Sequence, residues 1–139
     1  MKKLRPIVFR KSRVPKILSK IFRANITGLA IFPFTFINNI NPIRTRYPYE
    51  NIPISKRKLL YSESEIINHE QIHFQQQLES GVIGFYLIFV IEFAIKMIKY
   101  RNVKKANRNL SCEIEAYQYM TDLDYLEKRK RFTWLKNIF

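Results

Sequence analysis

Residues 62–80, SESEIINHEQIHFQQQLES, decide the fold of this chain and hold both of its histidines. The stretch opens with Ser62-Glu63-Ser64-Glu65, the spacing of a capping box, in which two side chains satisfy backbone amides at a helix N-terminus. Apolar residues then recur at helical spacing, and Gly81 is typical of a residue that ends a helix. We therefore predict a helix from about 63 to 79 that carries residues 69–73, HEQIH, two turns from its start.

The spacing of the two histidines suggests a metal site. Residues four positions apart on a helix lie on one face, so the imidazoles of His69 and His73 can bind the same ion. Glu70 is then placed to act as general base on a metal-activated water. The competing interpretation is a helix with two solvated or hydrogen-bonded histidines. We favour the metal site, because this arrangement arises in only about one in a thousand shuffled chains of this composition.

A third ligand has to come from elsewhere in the chain, because a catalytic zinc normally has three protein ligands and one open position. The candidates are two acids in a predicted last helix, with Cys112, the only cysteine, as a weaker one. Glu113 shares a helical stripe with Ala116 and is expected to face the HEQIH helix, so we favour it over Glu115. The alternative for both acids is a purely structural position at a helix N-terminus, where negative charge opposes the helix dipole.

These residues resemble the gluzincin zinc metalloproteases, in which HExxH is followed by a glutamate ligand on a later helix. Here HEQIH at 69–73 is followed by EIEAY at 113–117. The resemblance implies that His69, His73 and Glu113 bind Zn2+. It also implies that Glu70 is the base and that a peptide or protein is the substrate.

Two further features accompany this resemblance. Tyr117 stands where gluzincins of this type have an aspartate that orients a ligand, and its hydroxyl could instead donate to an oxyanion. From about Ile26 to Lys130 the chain is also similar to small uncharacterised bacterial proteins with HExxH, a nearby Gln-Gln pair and a later Glu-x-Glu-Ala-Tyr. That second likeness implies no activity.

Around the HEQIH helix we predict an α+β, mainly helical fold. It combines a small N-terminal β-sheet or hairpin, an apolar core helix and a C-terminal helix that carries Glu113 and Glu115. The strand edge could bind an extended peptide substrate by β-addition. The predicted segments are one or two strands within Ile26–Ile37, a short strand at Lys58–Tyr61, the core helix at Val82–Tyr100, a loop over 101–109 and the last helix from about Ser111 to Lys130.

The predicted core helix is apolar on nearly every face. Its uncharged run, residues 81–91, covers 11 residues, which is about half of what a bilayer crossing needs. We therefore expect a helix of the protein core, with Glu92 and Lys96 forming a pair on its surface side. Shallow contact with a membrane is the alternative.

The charge is concentrated near the N-terminus. The chain has 25 basic and 11 acidic residues and a net charge of +14, and residues 1–23 hold nine of the basic residues and no acid. We therefore divide the chain into a basic N-terminal arm, 1–24, and a single metallohydrolase-like domain, 25–139. Such an arm attracts the phosphates of a nucleic acid or an anionic membrane surface, and a short amphipathic helix after Pro15 is expected within it. An alternative function is therefore that of a non-catalytic basic protein that binds such a partner, with HExxH inert or structural.

The composition also limits the class of protein and the compartment in which we expect it. With 139 residues, of which 47% are hydrophobic, the chain fits one folded domain rather than a disordered protein. One cysteine excludes an internal disulfide and fits a reducing compartment. No apolar run typical of a secretory signal follows the basic start, so we expect a cytoplasmic protein, with peripheral attachment to the inner membrane surface as an alternative.

Overall fold

The computed structural model describes residues 5–22, 28–37 and 63–138. Within them the predicted fold class, α+β and mainly helical, is confirmed. The predicted strand at Lys58–Tyr61 and Ser62 of the capping box lie outside the described residues. The elements are β1 (Ile7–Phe9), α1 (Val14–Phe22), β2 (Gly28–Ile31), β3 (Phe34–Ile37), α2 (Glu63–Glu79), α3 (Val82–Tyr100), α4 (Val103–Arg108), α5 (Ser111–Tyr119), α6 (Tyr125–Lys128) and a 3-10 helix (Thr133–Asn137).

The three strands form one small sheet in the order β1-β3-β2. β2 and β3 are antiparallel and are joined by a turn at Phe32-Pro33, which confirms the strands predicted within Ile26–Ile37. β1 pairs with β3 in parallel, so a part of the predicted arm belongs to the sheet. α1 confirms the short helix expected after Pro15, although it begins one residue before that proline, at Val14, and it contacts β3. The division at residue 24 stays a prediction.

α2 is the predicted HEQIH helix, and it lies between the sheet and α5. On the sheet side Ile66 packs with Ile37 and with Met120 just after α5. Six residues further along, Ile72 packs with Ala116 of α5. Because apolar neighbours cover α2 on both sides, His69, Glu70 and His73 of HEQIH are buried among packed elements rather than solvated.

α3 differs from the prediction in the direction of its charged side chains. Phe85 packs with Leu110 and Trp134 in an apolar cluster, as expected of a core helix. Glu92 and Lys96, however, are buried, so their predicted position on the surface is wrong. Glu92 accepts hydrogen bonds from the backbone N–H and the hydroxyl of Ser111, at 2.9 and 2.6 Å, and this anchors the start of α5. The carboxylate thus faces the protein because it accepts hydrogen bonds at the N-terminus of α5, where backbone N–H groups lack partners within the helix.

Within the described residues, no single helix is long and apolar enough to cross a membrane. Ser64–Glu79 of α2 and α3 reach that length and composition only as a pair, with a bend of 108° between them.

The C-terminal third also differs from the prediction. The predicted loop over 101–109 contains α4, which Asn102 caps by accepting a hydrogen bond from the Lys105 amide at 3.0 Å. The predicted helix from Ser111 to Lys130 is interrupted after Tyr119. There Asn68 of α2 donates to the carbonyls of Tyr119, Met120 and Asp122, at 3.3, 2.9 and 3.0 Å. A buried amide from another helix therefore binds carbonyls that a continuous helix would use itself.

Candidate metal centre

His69, His73 and Glu113 come together between α2 and α5. The histidines lie one turn apart on α2, and their Nε2 atoms are 3.1 Å from each other. Glu113, in the first turn of α5, places one carboxylate oxygen 3.5 Å from each of these nitrogens. These three side chains form a cluster that could hold a metal ion.

The spacing of the three donor atoms fits a zinc ion. With metal–ligand bonds of about 2.0–2.1 Å, neighbouring donors of a tetrahedral site lie about 3.3 Å apart. The observed separations of 3.1, 3.5 and 3.5 Å bracket this value. Two imidazole nitrogens and one carboxylate oxygen are also a donor set that catalytic zinc sites use.

The electrostatics of the cluster favour a positive charge at its centre. Burial raises the pKa of Glu113, but the two imidazoles outweigh it and hold this pKa below its ordinary value. Burial likewise lowers the pKa of His73, but the carboxylate of Glu113 outweighs it and raises the pKa to about 9. A cation at this position, whether a proton or a metal ion, is therefore stabilised by the surrounding chain. Metal binding would displace the proton of His73.

Glu115, the alternative third ligand, has a different set of partners. It is buried and accepts hydrogen bonds from Arg129 Nε at 2.6 Å and from the Tyr125 hydroxyl at 2.7 Å. Burial raises the pKa of Glu115, but these donors and Gln76 outweigh it and lower the pKa. Among the described residues the metal-compatible cluster includes neither Glu115 nor Cys112, whose thiol pKa is raised well above its usual value by burial. Glu113 is thus the acid that faces the imidazoles.

Gln76 fixes the tautomer of His73. Its Nε2 donates to Glu115 Oε2 at 2.8 Å and to the Cys112 carbonyl at 3.1 Å. Because an ionised carboxylate and a carbonyl only accept hydrogen bonds, the amide NH2 must face them, and Gln76 Oε1 must face His73 Nδ1, 2.8 Å away. His73 therefore carries a proton on Nδ1, and in its neutral form Nε2 keeps its lone pair toward Glu113. This is how partners of metal-binding histidines orient the ring.

Arg129 completes this buried network. Its guanidinium bridges Glu115 and Glu79, and the side chains of Arg129 and Glu115 are each 1% exposed. Glu79 thus faces away from the imidazoles, and it also accepts a hydrogen bond from the Phe132 amide at 2.9 Å. Two carboxylates with one guanidinium carry a net negative charge behind Gln76, which favours the orientation just described.

Glu70, the predicted base, is buried beneath β2. Its carboxylate accepts a hydrogen bond from the Ala30 amide, and burial, the largest influence, raises its pKa. A β-carbon at Gly28 would lie 2.5 Å from Glu70 Oε1, so only glycine leaves room for this carboxylate. Gln77 fixes β2 above it by donating to the Ala30 carbonyl at 2.9 Å and accepting from the Phe32 amide at 3.0 Å. At Ala30 the strand edge predicted to bind a peptide is therefore already paired within the chain.

Tyr117 packs beside the cluster. Its ring meets the His69 ring edge-on, with the centroids 4.5 Å apart, and the Arg108 guanidinium lies over it at 3.2 Å. Burial, followed by the charge of Glu113, raises the pKa of Tyr117 to about 12, so its hydroxyl is protonated at neutral pH. Tyr117 thus supports the orientation of His69 by ring packing. Its predicted role as an oxyanion donor stays a prediction.

Comparison of the chain with protein-family models, with curated proteins and with solved structures gives no match. The geometry of the site therefore stands on the residues of this chain alone.

Gln76 follows His73 by three positions on one helix face, and from the sequence this spacing allows a hydrogen bond within the site, with a purely polar helix face as the alternative. The structure confirms the hydrogen bond. Two other residues that shape the site were not identified from the sequence. Arg129 gave no signal, because it lies within the basic run 128–131, and Gly28 gave none either, since an isolated glycine in a strand has several possible reasons.

Proposed function

We propose that this chain is a zinc-dependent metallopeptidase that resembles the gluzincins. The observation that carries the proposal is the convergence of His69, His73 and Glu113, with donor atoms 3.1–3.5 Å apart, directly beside the buried Glu70. Peptide bonds are the proposed target because of the resemblance in the two motifs.

In this proposal the three side chains hold the metal, and Glu70 moves protons. A bound zinc ion supplies a Lewis acid, which lowers the pKa of water and polarises a carbonyl. Glu70 accepts a proton from the attacking water and later delivers it to the leaving amine. Its raised pKa suits both tasks, because burial makes the carboxylate a stronger base and lets it keep the proton until transfer. The Ala30 amide holds the carboxylate in one orientation.

The test is Glu70→Gln, which replaces the base by an isosteric amide. Hydrolysis of fluorescein-labelled casein and of a quenched fluorescent peptide pool is measured with zinc-loaded protein. We expect Glu70→Gln to keep its zinc and to lose activity by about 10²–10⁴-fold. Glu127→Gln, an exposed glutamate on α6, is the matched control and should retain the wild-type rate. An unchanged rate in Glu70→Gln, or a rate that survives complete zinc removal, would contradict the proposal.

A further inference from the structure

The outward face of α3 is an uninterrupted aliphatic stripe. Six large apolar residues on it are exposed, from Ile83 at 78% to Ile98 at 79%. Each of them is three or four positions from another member, which places the set on one face of the helix, and the 15 steps from residue 83 to residue 98 span about 22 Å. We call this set the outer stripe; its members are Ile83, Leu87, Val90, Ile91, Ile95 and Ile98.

Two of the three charged residues of α3 face the protein instead, on the side that also carries the buried Phe85. Glu92 and Lys96 are 2% and 7% exposed, and their charged atoms lie 3.8 Å apart. A helix on the surface of a water-soluble body normally directs its charged residues outward, whereas the outward face of α3 is apolar. Exposed aliphatic surface of this extent marks a site of interaction with an apolar phase or partner.

Exposed basic residues follow the C-terminal end of the outer stripe along the chain. Lys99 and Arg101 follow Ile98, and Lys104 and Lys105 project from α4; all four are exposed. The chain has no acidic residue between Glu92 and Glu113. Long basic side chains can place their methylene groups along an apolar boundary while the charge reaches a phosphate.

We infer that the outer stripe of α3 docks into the interface of an anionic lipid membrane, with α3 lying in the membrane plane. An anionic bilayer supplies both an apolar layer for the stripe and negative headgroups for the four basic residues. A second copy of the chain would bring another net charge of +14 to the contact, and a nucleic acid offers phosphates without an apolar layer. With α3 in the plane, Glu92 and Lys96 stay within the protein and never enter the hydrocarbon. This inference is independent of the proposed peptidase activity.

Vesicle flotation of the full chain tests the inference. We expect binding to phosphatidylcholine vesicles with 25% phosphatidylglycerol, weaker binding to pure phosphatidylcholine, and a loss of binding as salt rises. Leu87→Ser should weaken partitioning by about tenfold or more, since each buried aliphatic side chain of this size contributes at least that factor. Leu123→Ser is the matched control, because Leu123 is 57% exposed against 59% for Leu87 and lies outside α3. It should bind as the wild type does.

The charge contribution is tested with a second matched pair. Lys104→Gln with Lys105→Gln should weaken binding to the anionic vesicles by about 25-fold, roughly fivefold for each lysine. Lys130→Gln with Lys136→Gln removes the same charge elsewhere on the surface and should have little effect.

The depth of insertion is measured with an environment-sensitive dye attached to Ile98→Cys. Labelling is selective because the only native cysteine, Cys112, is buried. Its emission should shift to the blue on anionic vesicles, whereas a dye on Leu123→Cys should not respond.

Three results would overturn the inference. The first is wild-type protein that does not float with anionic vesicles, which would mean that the chain itself covers the stripe. The second is a stable dimer that Leu87→Ser dissociates while neither form binds vesicles, which would assign the stripe to self-association. The third is equal binding of Leu87→Ser and Leu123→Ser, which would assign binding to charge alone.

Discussion

Replacing Gly28 with alanine is expected to lower the rate of hydrolysis without changing the zinc content of the protein. The added β-carbon would lie 2.5 Å from Glu70 Oε1 and 2.9 Å from both Cγ and Cδ of that side chain. An ordinary contact between such atoms is about 3.5 Å, so one side must move by about 1 Å. Gln77 holds β2 through two hydrogen bonds, and we therefore expect the Glu70 carboxylate to move.

A displacement of about 1 Å in a catalytic group costs roughly 10²-fold in rate. Gly28→Ala should therefore lower casein and peptide hydrolysis by about that factor, since Glu70 could no longer meet the attacking water in the same position. Zinc content should stay at the wild-type level, because the clash involves none of the three proposed ligands. Rates and zinc content are measured on the same preparation, the latter by mass spectrometry of the metal.

Gly84→Ala is the matched control for this substitution. Its β-carbon would meet only Ser80 Cβ at 3.8 Å, an ordinary contact, so rate and zinc content should both be unchanged. A wild-type rate in Gly28→Ala would show that β2 yields without disturbing Glu70. Loss of zinc in Gly28→Ala would show that the substitution disturbs the metal cluster itself. Either result would refute this account of Gly28.

Two other predictions concern the buried charges around the site. Arg129→Met leaves Glu79 and Glu115 without their buried counter-charge and should lower the free energy of unfolding by about 3–5 kcal/mol in urea denaturation. Lys128→Met, which removes only an exposed pair with Asp122, should change it by less than about 1 kcal/mol; equal effects would contradict the assigned importance of the network. Zinc affinity measured by competition with a chelator should rise by roughly tenfold for each pH unit between about 6 and 8, because a proton competes with zinc at His73 in this range. The sign follows from the pKa of His73, which is raised to about 9 and keeps the ring protonated at neutral pH; a flat profile would contradict it.

The sequence predicted the elements whose signals are local. The HEQIH helix was predicted from the spacing of its apolar residues, and the hairpin within Ile26–Ile37 from its β-branched and aromatic residues. Both signals come from residues that are close together in the chain. The expected helix face of Glu113 also favoured it over Glu115 as a ligand. In the structure Glu113 faces the imidazoles and Glu115 faces Arg129. Both acids lie in one helix, so their different faces follow from helical geometry alone.

The features that the sequence did not predict depend on contacts between distant residues. The break after Tyr119 is formed by the side chain of Asn68, which lies about fifty positions away along the chain. The inward direction of Glu92 depends on the amide and hydroxyl of Ser111. Because α3 is apolar on most of its surface, its own sequence does not determine which face is outward. Packing against the rest of the protein determines which face of α3 is outward, and here it leaves the outer stripe exposed.

Zinc content is the most direct test of the central claim that two imidazoles and one carboxylate converge on a single metal ion. Purified wild-type protein, exposed to zinc and freed of excess, is analysed by mass spectrometry of the metal beside His73→Ala. We predict about one zinc ion per chain in the wild type, as a three-ligand site requires, and its loss in the variant. A wild type that binds no zinc, or a folded His73→Ala that keeps its ion, would contradict the claim.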